Sequence, residues 1–159
     1  SRGLLQRLPR VVASQGGMSA TVPGHWSNIP DQEVLMLQDP LLEISPTLQF
    51  EVGVLTDGED LAAHAQARTA AIAGQLAAIK EVQSARVLGK PEVQGPHRVR
   101  TTIRVEALGR VFHQVHLYRR SGGLVLPALL RLPVKHKDAY LDVMAQIQRS
   151  MAYRKSSNM

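Results

Sequence analysis

Six histidines are the residues of this chain best suited to chemistry, because neutral imidazole serves both as a metal ligand and as a general base. Two of them, His113 and His116, are three apart, a spacing that converges on one face of a helix but diverges to opposite faces of a strand. The residues around them, Arg110 to Tyr118, alternate as a strand does, so the pair is not expected to share a metal. His113 reads instead as a hydrogen-bonded core histidine. His25, His64, His97 and His136 are scattered among loops and helices without ligand spacing. Cysteine is absent, which removes disulfides, thiolate metal sites and cysteine nucleophiles together. There is no Gly-x-Ser-x-Gly elbow, Ser121 sits in an ordinary turn, and no glycine-rich loop joins a strand to a helix to cradle a phosphate. Glu59 and Asp60 begin a helix, where the dipole alone accounts for them. No catalytic residue, metal or cofactor is assigned, and the chain reads as one that binds rather than catalyses.

The basic residues give a stronger signal. Arg98, Arg100 and Arg104 align with Phe112, His116 and Tyr118 on the outer face of a predicted hairpin, and arginine interleaved with aromatics can engage phosphates and stacked bases. Leu117 joins this candidate partner-binding set as an apolar contact. From Arg98 to Arg120 there are six arginines and one acid, Glu106, whereas from Asp31 to Asp60 there are eight acids and no Lys or Arg. Such asymmetry marks either an acidic partner or two strands of one sheet that compensate each other. Nucleic acid ranks third, because the acids would repel a phosphate backbone.

The elements that must position these residues are legible in outline. A length of 159 residues with 44% apolar content fits one domain, and 4% aromatics imply an aliphatic core. No apolar run approaches the ~20 residues that span a bilayer. Residues 1–17, with Arg2, Arg7 and Arg10 and no acid, read as a leader, tag or targeting segment outside the fold. Residues 18–153 form the expected domain and 154–159 a frayed polar tail. Short strands are predicted at Ser19 to Val22 and Glu33 to Gln38, and a longer one at Thr47 to Leu55. An Ala-rich helix follows, with Leu61, Ala65, Ile72, Leu76 and Ile79 on one stripe and Lys80 at its end. Gln83 to Leu88 is a weaker strand. His97 to Glu106 and Arg110 to Tyr118 make a hairpin, for which a three-residue loop, Ala107-Leu108-Gly109, pairs Val105 with Val111 and Val99 with Leu117. That register gathers Val99, Ile103, Val105, Val111, Val115 and Leu117 on one face. Leu124 to Leu132 is a central buried strand, and a final helix carries Tyr140, Met144, Ile147 and Met151.

This order of elements, with the Pro23-Gly24-His25-Trp26 turn and the segments Asp60-Leu61-Ala62-Ala63-His64 and Phe112 to Tyr118, resembles the PsbP-like fold. The resemblance spans Met18 to Tyr153 and includes DcrB-like proteins, LpqN-like lipoproteins and the Eag chaperones of type VI secretion. It implies an α+β fold, an antiparallel sheet with helices on its faces in an αβα sandwich. It also implies a non-enzymatic role. The leading expectation is a cytoplasmic chaperone or adaptor for effectors with hydrophobic segments, acting as a homodimer or through an exposed apolar patch around Leu124 to Leu130, Val99, Val115 and Leu117. The alternative is an envelope-associated ligand-binding protein of the LpqN or DcrB kind.

Overall fold

The computed structural model describes residues 10–15, 18–23, 27–28, 36–38, 47–50, 53–54, 58–134 and 138–154. Its strands are β1 (Arg10–Gln15), β2 (Met18–Pro23), β3 (Ser27–Asn28), β4 (Met36–Gln38), β5 (Thr47–Phe50) and β6 (Gly53–Val54), followed by helix α1 (Leu61–Ala77). Then come β7 (Val82–Val87), β8 (Glu92–Val93), β9 (Arg98–Ala107), β10 (Arg110–Ser121) and β11 (Leu124–Pro133). A 3-10 turn (Asp138–Tyr140), helix α2 (Leu141–Ser150) and β12 (Ala152–Tyr153) are the last described elements. One sheet runs β3-β4-β5-β11-β10-β9-β7, with β6 on β11 and β8 on β9; a second is β1-β2-β12. Every pairing is antiparallel. The antiparallel sheet, with two helices packed on it among the described residues, is the α+β arrangement read from the sequence. Paired structure also begins before Met18: β1, inside the segment set aside as a leader, matches β2 residue for residue from Arg10↔Pro23 to Gln15↔Met18. The Pro23-Gly24-His25-Trp26 turn lies largely outside the described residues.

Helix α1 starts where Asp60, in an extended conformation, accepts a hydrogen bond from the Ala63 amide at 3.1 Å. That satisfies one of the amides that have no partner in a first turn. Leu61, Ala65, Thr69 and Ala73, each four residues on, are buried against the sheet. The helix ends at Ala77, short of the expected Lys80, and the amide of Ile79 returns to the Leu76 carbonyl at 3.1 Å. On the opposite face α2 buries Val143, Met144 and Ile147, together with Tyr140 and Met151 at its two ends.

The β9–β10 hairpin is present, but its register differs by one residue from the reading above. Ala107 pairs with Arg110, so the loop is Leu108-Gly109 alone, with φ of 53° and 74°. Two successive left-handed residues are the geometry of a type I′ turn, whose twist matches that of the flanking strands. Val105 therefore faces Phe112, Ile103 faces Gln114, Thr101 faces His116 and Val99 faces Tyr118. The six apolar side chains expected on one face are divided: Val99, Ile103 and Val105 point toward α1, Val115 and Leu117 point toward α2, and Val111 shares the face of Val115 but is exposed. A three-residue loop follows from the hydrophobic pattern only if a strand has one dry and one wet face. β10 is a central strand covered on both, and six consecutive residues, His113 to Tyr118, are buried.

The same coverage removes the expected apolar patch. Val99, Val115, Leu117, Val125, Leu126, Pro127, Ala128 and Leu130 are all buried, and Leu124 and Leu129 are half-buried.

Candidate binding sites on the two faces of the sheet

Face parity splits the predicted partner-binding set in two. Arg98, Arg100 and Arg104 stand on the α2 side of β9, and Leu117 shares that face but is wholly buried. Phe112, His116 and Tyr118 belong to the α1 side, where Tyr118 is wholly buried and Phe112 packs beside Ile103 and Val105. The structure gives no single basic and aromatic surface, since an odd register shift sends alternate residues to opposite faces.

On the α2 side the basic row is longer than the sequence suggested. Arg86 of β7 lies directly opposite Arg104, and Arg119 of β10 lies directly opposite Arg98. Arg100 donates to Glu92 on β8 through Nε at 2.8 Å, and Arg104 donates to Glu106. Arg119 reaches the last turn of α2, donating to the Gln148 carbonyl at 3.2 Å and to that of Arg149. α2 and β2 pack over β10 and β11, and Arg98, Arg100 and Arg104 are half-buried.

On the α1 side a polar cluster interrupts the core. The Thr69 hydroxyl bonds to that of Thr101 at 2.6 Å and to the Tyr118 hydroxyl at 3.0 Å. The Tyr118 ring meets His64 edge-on, with centroids 6.4 Å apart, and lies near-parallel to His116 at 6.3 Å. His64 Nδ1 is 3.0 Å from Glu59 Oε1, which turns Nε2 away from that carboxylate. Gln114 and His116 are each 3% exposed, yet Gln114 Oε1 and the Nε2 atoms of His116 and His64 are buried without a hydrogen-bond partner. Burial, then the guanidinium groups of Arg68 and Arg131, lower the His116 pKa from 6.5 to about 4, so the ring is neutral at pH 7. His64, Arg68, Gln114 and Arg131 were missed at the sequence level. Their trace is polar residues at positions a core should fill: His64 and Arg68 flank the apolar stripe of α1, and Gln114 and His116 alternate within a buried strand.

Farther along α1, a cleft of about 240 Å³ is lined by Gln66, Thr69, Ala70, Lys90 and Thr101, among others. Among the described residues, no three His, Asp or Glu side chains come together to hold a metal ion, and no helix is long and apolar enough to cross a membrane.

No family model matches the sequence, and no curated protein is significantly similar to it. Solved structures are similar in fold. Cyanobacterial PsbP (CyanoP) of Synechocystis superposes with a TM-score of 0.64 at 12% identity, over 92% of both chains. The chain has a PsbP-like fold. LpqN of Mycobacterium tuberculosis, described as involved in cell envelope biogenesis, shares the PsbP-like arrangement with a TM-score of 0.53 at 13% identity, over 92% of this chain and 91% of that one. PA94 of Pseudomonas aeruginosa, of unknown function and described as a putative regulator, gives 0.55 at 12% identity, over 92% of this chain and 99% of that one.

Proposed function

We propose that this PsbP-like domain is a non-enzymatic interaction module that holds an acidic surface of a protein partner against the arginine row of β7, β9 and β10. The observation that carries this reading is the pair of cross-strand arginine couples, Arg86 opposite Arg104 and Arg98 opposite Arg119. Like charges directly opposite on a sheet destabilise it. Glu92 offsets Arg100, Glu106 offsets Arg104 and the last carbonyls of α2 receive Arg119, yet the row still holds more arginines than acids. A half-exposed row of guanidinium groups offers bidentate recognition of carboxylates. The burial of Leu117, Val125, Leu126 and Leu130 gives no support to a role in holding apolar segments.

The test is crosslinking in the native cell with wild type and with the doubly charge-reversed Arg98→Glu, Arg104→Glu variant. A partner with an acidic contact surface should be recovered by wild type, and lost with the variant or in roughly 0.5 M salt, which shortens the Debye length to a few Å. Equal recovery by both proteins would rule the arginine row out. Tight binding of a single-stranded oligonucleotide, weakening steeply with salt, would transfer the site to nucleic acid.

A further inference from the structure

On the α1 side of the sheet, remote from the arginine row, we propose a second site: a pocket for the oxyanion head group of a small molecule, a carboxylate or a phosphate. It is formed by Arg68 and Arg131 with His64, Gln114 and His116. The register places Gln114 directly beside Arg131, and His116 one step along the same face. Helical spacing sets His64 and Arg68 on one flank of α1, and the Tyr118 ring lies against both His64 and His116. His116 and Gln114 are almost wholly buried with a polar atom of each unpartnered, and His64 adds a third such atom. Buried polar groups in native proteins are nearly always paired, so three on one face point to a polar occupant.

The sign of the field selects its charge. The Arg68 and Arg131 guanidinium groups both act on His116, and the Glu59 carboxylate is bonded to Nδ1 of His64. Both arginines would repel a cation approaching the imidazoles, whereas an oxyanion gains from each. Arg131 is exposed, whereas Gln114 directly beside it and His116 are almost wholly buried, so the site runs from the surface inward.

Titration with inorganic phosphate and, separately, with succinate tests the site on the intact chain, followed by nitrogen-15 resonances of the imidazole rings. Either probe should shift the His64 and His116 ring signals together in a saturable way. Arg131→Gln removes one charge-assisted contact at an exposed position and should weaken that binding by about ten- to a hundredfold. Arg149→Gln, at an exposed position of α2 on the other face, should leave it unchanged. Response to phosphate alone or to succinate alone identifies which head group the site takes. Absence of saturable shifts for both probes, or shifts that survive Arg131→Gln unaltered, overturns the proposal. So does a response to zinc in place of either anion.

Discussion

His116 is the residue whose surroundings most alter its chemistry. Its folded pKa of about 4 lies below the 6.5 of an exposed imidazole, so the unfolded chain binds its proton more readily than the native one. Stability from this group is complete above pH 6.5 and is lost as pH falls from there toward 4. The full effect is on the order of 3 kcal/mol. Urea unfolding of wild type and His116→Gln at pH 7 and pH 4.5 should therefore show wild type losing more on acidification, by roughly 2–3 kcal/mol. Parallel losses in the two proteins would mean that His116 is solvated. Arg68 and Arg131 both face this ring, and replacing Arg131 with Gln should move its titration upward.

At the scale of elements, turn chemistry decided what hydrophobic pattern could not. Leu108 is 75% exposed and held at a φ of 53°, a conformation in which asparagine or glycine is at home. Leu108→Asn should stabilise the protein by about 0.5–1 kcal/mol, measured as a shift in urea midpoint at constant slope. The stripe Tyr140, Met144, Ile147 and Met151 was readable because α2 is dry on one side only. The register of β10 was not, because a strand buried on both faces loses its period-two signal. The charge row was half legible: Arg98, Arg100 and Arg104 advertise themselves by spacing, but Arg86 and Arg119 join them only through strand pairing. Gln148 ties α2 to the sheet, its Nε2 donating to the carbonyls of Val99 and Tyr118 at 3.0 and 3.1 Å. Gln148→Ala should cost about 1–3 kcal/mol, and Ile147→Ala about 2–4, with amide exchange accelerating first in α2.

At the scale of the whole molecule, two helices on opposite faces create two unlike surfaces from one sheet. The arginine row and the polar cluster are separated by the thickness of β9 and β10, so substitutions on the two sides should act independently. Arg98→Gln combined with Arg131→Gln should change stability by the sum of the single effects, within about 0.5 kcal/mol. A larger departure, read from thermal or denaturant unfolding, would reveal that the faces communicate.

The three-stranded sheet joins the beginning of the described chain to its end, with Ala152 beside Ser19 and Tyr153 beside Met18. Ser150 adds a tie, its hydroxyl accepting from the Thr21 amide at 2.8 Å. During synthesis β2 leaves the ribosome first and waits for β12, while the face holding Val115, Leu117, Leu126 and Leu130 stays wet until α2 emerges. The nascent chain therefore passes through a stage in which that apolar face is uncovered. A chain stopped after Pro133 should bind a hydrophobic dye strongly and aggregate, whereas one carried through Tyr153 should do neither.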